Sequence, residues 1–288
     1  MRIHHLNCGT LRPPSGRLVN GTGSVFTAAR MVCHCLLIET SEGLVLVDTG
    51  IGLNDIATPS QNLGRSFIRL TRPQLDPAET AVRQVVRLGY TAEDVRHVVL
   101  THLDLDHAGG LADFPHARVH VQATELDAAR HPATTLEGRR YRAAQWSHRP
   151  HWVEHTVGGQ PWFGFASVRD LPGLPPQLLL VPLVGHTRGH VGVAVDTGRT
   201  DRPRWLLHAG DAYFFHGQLA DHPRCPPALR AFQTLMQADK TTRLDNLRRL
   251  RELTGTGEVD IFSAHDPVEL DRARVVTNNP TTTAPEPR

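Results

Sequence analysis

Short apolar runs separated by turn residues recur along most of the chain. Eight such runs carry many branched aliphatic side chains and predict β-strands rather than helices. They are residues 33–39, 44–48, 98–101, 119–121, 178–181, 191–195, 205–208 and 259–262.

Two of the stretches between these runs have helical spacing. From residue 77 to 88, apolar side chains share one face behind Asp76 as N-cap and Pro77 in the first turn. From residue 242 to 253, leucines recur every three residues, and Thr242 with Asp245 predicts a capping box. Strands that interleave with helices predict an α/β protein with layers built around one or two sheets.

Composition narrows the classes of partner. The chain has 288 residues, of which 40% are hydrophobic and 21% charged, as in an ordinary globular protein. The net charge of only +2 argues against a nucleic-acid surface. No apolar run is long enough to cross a bilayer, and the first residues lack an export signal. We expect a cytoplasmic protein with neither membrane nor nucleic-acid partners.

Histidine and cysteine point to different roles. The 18 histidines exceed the nine Phe, four Trp and three Tyr taken together, which directs attention to metals. The four cysteines are too few and too scattered for a disulfide framework, and Cys33 and Cys35 lie too far apart along a strand to pair. We expect both as buried thiols.

Residues 139–165 are unusually rich in aromatic and histidine side chains. We interpret this segment as a cap over a site rather than as a strand of the sheet. Its histidines, His148, His151 and His155, are expected to line the substrate site or to face solvent. The predicted substrate-binding residues are Tyr141, Trp146, Trp152, Trp162 and Phe163.

The strongest chemical signal is the run Thr101-His-Leu-Asp-Leu-Asp-His-Ala-Gly-Gly110, directly after a predicted strand. It packs two imidazoles and two carboxylates into six residues. Such a group resists desolvation unless a cation compensates it, so the run favours a metal site over a solvated polar loop. The four candidate ligands are His102, Asp104, Asp106 and His107.

Three later candidates also follow predicted strands. His186 lies in Gly185-His-Thr-Arg-Gly-His190, and Asp211 and His265 each come after a further run. Since ligands at strand ends can meet at one edge of a layered sheet, we expect these residues to join the first four. We expect His190 to orient a ligand from the same loop. The surface or hydrogen-bonded core histidines are expected to be His4, His5, His97, His116, His120 and His131.

The order of these four motifs resembles the metallo-β-lactamase-fold hydrolase superfamily, and within it the quorum-quenching lactonases. The resemblance covers residues from about 30 to 270 and includes the turn at residues 47–50. It implies a four-layer αββα sandwich of two mixed sheets flanked by helices. On this basis we predict a single domain over residues 1–276, with the cap at 139–165 and a disordered tail at 277–288.

The resemblance also implies two divalent metal ions, with zinc as first choice. One would be held by His102, Asp104 and His186, the other by Asp106, His107 and His265, with Asp211 as the bridge. Asp104 departs from the pattern, because the superfamily usually has its second histidine there. A carboxylate adds negative charge and shifts preference toward manganese or iron. Alternatively Asp104 is too short to reach, and only the second site fills.

Such a pair of ions would lower the pKa of a shared water, so that hydroxide attacks an ester without a protein base. The catalytic residues would be Asp106, Asp211 and Tyr213, the last as a donor to the developing oxyanion. The tyrosine of the lactonases lies one residue further on, and core packing is the equal alternative for Tyr213.

The leading functional hypothesis is a hydrolase of small esters or lactones, such as acyl-homoserine lactones. A second is a thioester hydrolase resembling glyoxalase II, or a related iron persulfide dioxygenase, with Arg139, Arg140 and Arg142 as a basic patch at the mouth. A phosphodiesterase and a non-catalytic metal-binding module are further alternatives. The relatives suggest a homodimer as one form of assembly.

Overall fold

Two mixed β-sheets face each other in the computed structural model, which describes residues 1–156, 158–166, 171–200 and 203–278. The first sheet has the order β1-β2-β3-β4-β5-β6 and the second the order β10-β9-β8-β7. The strands are β1 (Arg2–Leu11), β2 (Met31–Thr40), β3 (Gly43–Val47), β4 (Val95–Val99), β5 (Arg118–Gln122), β6 (His151–His155), β7 (Leu178–Pro182), β8 (Val191–Asp196), β9 (Trp205–His208) and β10 (Val259–Phe262).

Helices of one to four turns connect the strands. The α-helices are α1 (Gly16–Val19), α2 (Leu53–Ala57), α3 (Pro59–Asn62), α4 (Arg65–Thr71), α5 (Ala81–Arg87), α6 (Leu105–Ala108), α7 (Ala123–Arg130), α8 (Thr135–Arg140), α9 (Pro227–Met236), α10 (Lys240–Thr254) and α11 (Pro267–Asn278). Short 3-10 turns cover Pro77–Glu79, Ala92–Asp94, Leu111–Asp113, Ala143–Trp146 and His216–Gln218.

Three apolar layers stabilise this arrangement. Because side chains alternate along a strand, β3 sends Val45 and Val47 between the two sheets and Leu44 and Leu46 to the outer face of the first sheet. Residues of α5 and α7 cover that outer face, and α10 covers the outer face of the second sheet. The predicted order of helix, sheet, sheet and helix is confirmed, as are all eight predicted strands.

Two helix starts differ from the predicted ones. Asp76 accepts a hydrogen bond from the Ala78 N–H as expected, but a 3-10 turn follows it and α5 begins only at Ala81. Helix α10 begins at Lys240, and Asp239 accepts from both the N–H and the hydroxyl group of Thr242. The predicted capping box at Thr242 was therefore wrong, because an earlier carboxylate already satisfies that N–H.

The segment 139–165 is not a separate cap. His151–His155 forms β6, which pairs in parallel with β5 at the edge of the first sheet. The prediction that this segment contains no strand was wrong, and β1 was missed as well. Both are edge strands with polar and half-exposed positions, so neither shows the continuous apolar pattern of the buried strands.

Other predictions concern the tail and the cysteines. Residues 277 and 278 belong to α11, whereas 279–288 lie outside the described residues. The four cysteines are free, and Cys33 and Cys35 are buried as expected. Within the described part of the chain, no helix combines the length and apolar character needed to span a bilayer.

Candidate metal centre

Seven buried side chains converge where loops leave the carboxyl ends of strands in both sheets. The loop after β4 supplies four of them, the loop between β7 and β8 supplies one, and β9 and β10 each lead to one more. The structure thus brings together every residue proposed as a metal ligand from the sequence. They are His102, Asp104, Asp106, His107, His186, Asp211 and His265.

Four ligand atoms form a first cluster. Asp104 Oδ2 lies 3.3 Å from His102 Nε2 and 3.0 Å from His186 Nε2. Asp211 Oδ2 lies 3.6 Å from His102 Nε2 and 3.3 Å from His186 Nε2. Ligands about 2.0–2.1 Å from a tetrahedral ion are separated by roughly 3.3 Å, so this spacing fits one cation. Asp104 therefore reaches the cluster despite its shorter side chain.

A second cluster lies on the other side of Asp211. Asp211 Oδ1 is 3.3 Å from His107 Nε2 and 3.2 Å from His265 Nε2, which are 3.3 Å from each other. Asp106 Oδ2 lies 3.7 Å from His265 Nε2. The Cys33 thiol is within 4.8 Å of ligand atoms of Asp106 and His265, a proximity that sequence reasoning missed. The two oxygens of Asp211 face different clusters, as a bridging carboxylate would.

Three buried atoms of these seven side chains have no hydrogen-bond partner. Two of them face the clusters, His102 Nε2 the first and Asp211 Oδ1 the second, and the third is His186 Nδ1. A buried polar atom without a partner costs free energy unless something else coordinates it. Burial alone would raise the pKa of Asp211, but the surrounding imidazoles, His265 first among them, hold it well below its usual range. The donor set therefore fits divalent cations.

Asp48 and His190 orient these ligands from behind. Asp48, at the end of β3, accepts from the Thr101 N–H and hydroxyl group and from His107 Nδ1, each at 2.8 Å. His190 Nδ1 donates to the Leu183 carbonyl oxygen, and its Nε2 accepts from the Asp211 N–H at 2.9 Å. His190 thus has the expected orienting role, although it holds Asp211 rather than a ligand of its own loop.

Glu125, at the start of α7, joins the two ligand loops and was not foreseen. One carboxylate oxygen accepts from the Leu103 N–H at 3.0 Å, and the other accepts from the Thr187 hydroxyl at 2.6 Å and the Gly189 N–H at 3.0 Å. A Cβ at Gly189 would lie 2.2 Å from the Glu125 backbone nitrogen, so this approach requires glycine. These three loop donors lie 22 to 64 residues from Glu125, beyond any local motif.

Arg140 lies against the first cluster instead of at a mouth. Its Nε donates to Asp104 Oδ1, and its Nη2 donates to Asp104 Oδ2 at 2.9 Å and contacts His186 Nε2 at 2.6 Å. Its Nη1 donates to the carbonyl oxygens of His186 and Met236. With the residue only 8% exposed, the predicted role of Arg140 in an open basic patch was wrong.

Comparison with known proteins identifies the family. The model of the metallo-beta-lactamase superfamily matches residues 29–255. This chain belongs to the metallo-β-lactamase superfamily. Probable metallo-hydrolases of Mycobacterium bovis and Mycobacterium tuberculosis are 45% identical over 276 residues, covering 95% of this chain and 83% of theirs. An N-acyl homoserine lactonase of Bacillus thuringiensis is 25% identical over 268 residues, or 91% of this chain and 94% of that protein.

Solved structures of the superfamily share the fold. An N-acyl homoserine lactone hydrolase with N-hexanoyl-L-homoserine at its catalytic metal centre superimposes with a TM-score of 0.67 and 23% identity, covering 94% and 95% of the two chains. A dizinc quorum-quenching lactonase superimposes with a TM-score of 0.58 and 16% identity, covering 92% of this chain and 87% of that one. At these identities the likeness shows the αββα architecture and nothing finer.

A cavity of about 520 Å³ opens beside His265. Phe214 forms part of its wall, and the His216 ring donates from Nδ1 to Asp266 Oδ2 at 2.8 Å. Apolar side chains, two arginines, uncharged polar residues and the carboxylate of Asp271 share the remaining surface, so a mixed pocket borders His265 of the second cluster. Its lining includes Met31, Phe215, Leu229, Arg30 and Arg224.

The aromatic residues predicted to bind substrate do not line this cavity. Tyr141 is buried and donates to Glu125, while Trp146 and Trp152 pack against the core outside the first sheet. Trp162 is buried in the core outside the second sheet, and Phe163 is 44% exposed. The structure places all five outside the wall of this cavity, and their substrate-binding role stays a prediction.

Tyr213 also points away from the cavity. It is fully buried, and its hydroxyl group donates to Glu269 Oε1 at 2.8 Å. The next residue, Phe214, lines the cavity and carries no hydroxyl group. The structure therefore favours the core-packing alternative for Tyr213.

Proposed function

We propose that this protein is a metal-dependent hydrolase that opens small esters or lactones, with N-acyl homoserine lactones as the favoured class. The observation that carries the proposal is the cavity that opens beside His265, a member of the second of the two clusters joined by Asp211. Relatives named as N-acyl homoserine lactonases align along nearly the whole chain and support the substrate class.

We assign two divalent ions to the centre, with zinc as first choice. When bound, such ions polarise the scissile carbonyl group and lower the pKa of a water toward 7. Asp211 holds the two sites together through its two oxygens, and Asp48 keeps His107 in the orientation that directs Nε2 at the second site. Asp106, the farthest from its neighbours, completes that site and is placed to accept a proton.

The cavity wall selects the substrate in this proposal. Phe214, Met31 and Leu229 offer an apolar surface for an acyl chain, whereas Arg224 suits the polar head and the carboxylate that hydrolysis releases. Arg30 is paired with Asp271 at 3.0 Å in the same wall. The ring of Phe214 provides no donor for the oxyanion, so we assign that role to no side chain. His216, held by Asp266, lines the same wall, and we assign it the role of proton donor to the leaving oxygen.

The test is turnover on a panel of substrates. Protein loaded with zinc or manganese should open acyl-homoserine lactones, and longer acyl chains should lower KM because they bury more apolar surface. Asp211→Asn should abolish turnover, while Asp127→Asn on the exposed side of α7 serves as control. Full metal loading without turnover of any lactone would overturn the substrate assignment. Faster hydrolysis of a glutathione thioester or of a phosphodiester would instead favour a thioester hydrolase or a phosphodiesterase. Protein that binds no metal would favour the non-catalytic module.

A further inference from the structure

We propose that Asp104 and Arg140 act together as a neutral replacement for the histidine usual at position 104 in the superfamily. In this pair the carboxylate binds the cation of the first cluster and the guanidinium offsets its charge. The inference rests on the proposed metal centre but does not depend on the substrate. It predicts that neither residue can be replaced alone without loss of that cation.

The guanidinium of Arg140 is fixed by its surroundings. An arginine has five N–H donors: four of them donate here to the two oxygens of Asp104 and to two carbonyl oxygens, and the fifth contacts His186 Nε2. The acceptors come from the loop after β4, the loop after β7 and the end of α9. The side chain is therefore a built part of the centre and not a surface cation that happens to lie nearby.

The charges show why the two residues belong together. A neutral histidine at position 104 would leave Asp211 as the single carboxylate of the first cluster. Asp104 adds a second negative charge, and the buried guanidinium cancels it, so the net charge returns to that of a histidine site. A buried charge that loses its partner is strongly destabilising, which makes the two residues interdependent.

Asp104→His places the histidine usual in the family at position 104, but by itself it should not restore the first metal site. Asp104→His alone removes the partner of Arg140 and leaves an unpaired guanidinium beside the imidazole of His186 and the cation. We expect this variant to bind the first cation more weakly than the natural protein does. Asp104→His combined with Arg140→Gln should bind it well, since glutamine can still donate to a carbonyl oxygen without carrying charge.

Arg140 Nη2 lies 2.6 Å from His186 Nε2, so a guanidinium that occupies the place of the first cation is the alternative to charge compensation. That nitrogen offers one lone pair, which either a guanidinium N–H or a cation can use. If the guanidinium took the place of the first cation, Arg140→Gln would free the site and raise the metal content. Charge compensation through Asp104 requires the opposite change.

The experiment measures metal content per chain and metal affinity by chelator competition, without any substrate. The natural protein, Arg140→Gln, Asp104→His and the double variant are compared after equilibration with zinc or manganese, with Arg139→Gln as the exposed neighbouring control. We expect each single variant to lose one ion per chain, with affinity at the first cluster about 10- to 100-fold weaker. The double variant and Arg139→Gln should retain both ions.

The outcomes separate this inference from the proposed function. Unchanged or increased metal content in Arg140→Gln, or full loading of Asp104→His alone, would overturn the inference and leave the hydrolase proposal intact. Natural protein that binds no metal at all would overturn both. If Arg140→Gln does not fold, Asp104→His and the double variant decide the question by themselves, because the inference requires the double variant to bind more metal.

Discussion

The rings of Phe214 and His265 lie nearly parallel, with their centroids 5.2 Å apart and an angle of 6° between their planes. This contact places an apolar ring directly against a candidate metal ligand at the wall of the cavity. The neighbouring Tyr213 turns its hydroxyl group into the core. Of these two adjacent aromatic residues, Phe214 therefore lines the cavity and Tyr213 packs in the core.

Phe214→Tyr should increase lactone turnover. The new hydroxyl group would enter the cavity near His265, where it can donate to the oxyanion. Since removal of one such donor typically costs a hundredfold or more in kcat, a gain of about tenfold is expected here even with imperfect alignment. Steady-state kinetics on an acyl-homoserine lactone measure it. A fall in kcat at unchanged metal content would show that the ring itself is needed at this wall.

Tyr213→Phe should affect stability and not catalysis. It removes the hydrogen bond to Glu269, a buried carboxyl group whose pKa is raised to about 8, chiefly by burial. We expect a loss of about 1–3 kcal/mol in the free energy of unfolding, with kcat/KM within about twofold of the natural protein. Denaturant unfolding and kinetics on the same preparations measure both. A large drop in kcat with unchanged stability would restore the catalytic role considered from the sequence.

Glu125→Gln should loosen both ligand loops. The carboxylate accepts four hydrogen bonds from N–H and hydroxyl donors, and the NH2 group of glutamine would face one or more of these donors. We expect a loss of about 3 kcal/mol in stability and a metal affinity at least tenfold weaker. Asp127→Asn, an exposed change on the same helix, is the control. Natural metal affinity in the Glu125 variant would mean that the loops keep their positions without this carboxylate.

Metal removal should lower thermal stability. Without a cation, His102 Nε2 and Asp211 Oδ1 are buried without partners. An ion at about a thousandfold excess over its Kd stabilises the folded state by roughly 4 kcal/mol, so chelation should lower Tm by several degrees. Scanning calorimetry before and after chelation, and after metal is restored, gives the change. Asp211→Asn should show a smaller change; identical melting curves with and without chelator would argue against a resident ion.

Acid should destabilise the first sheet through a row of histidines. His120 hydrogen bonds His97 and His155 at 2.8 and 2.9 Å, and burial, followed by these neighbours, lowers the pKa of His120 to about 3. Between pH 6.5 and 3 the unfolded chain binds a proton at this position that the folded chain does not. Stability therefore falls as pH decreases, by at most about 1.4 kcal/mol per pH unit for this group.

His120→Gln tests this expectation, since glutamine can hydrogen bond but does not titrate. Its loss of stability between pH 7 and pH 5, measured by denaturant unfolding, should be smaller than that of the natural protein. His116→Gln, at an exposed position, should leave the pH dependence as it is. Equal pH dependence in all three proteins would assign the acid sensitivity to other groups.

The residue patterns alone predicted α/β layers around one or two sheets and the meeting of seven residues at one edge, whereas the four-layer sandwich was implied by the resemblance to the superfamily. Buried strands show themselves through continuous apolar runs, and His102, Asp104, Asp106 and His107 lie within one short loop whose spacing is local. The ends of strands in a layered fold necessarily approach one another, so His186, Asp211 and His265 could be placed there as well. These are short-range patterns, and an amino-acid sequence displays such patterns directly.

Only the tertiary structure decided which side chains complete the centre. Arg140 meets Asp104 from 36 residues away, and Glu125 reaches Thr187 across 62. Whether Tyr213 or Phe214 faces the cavity depends on the rotation of the chain after Asp211, and the edge strands β1 and β6 are held by neighbours and not by an apolar pattern of their own. Each of these outcomes depends on packing between distant segments, and the free energy of such packing is not encoded in any local run of residues.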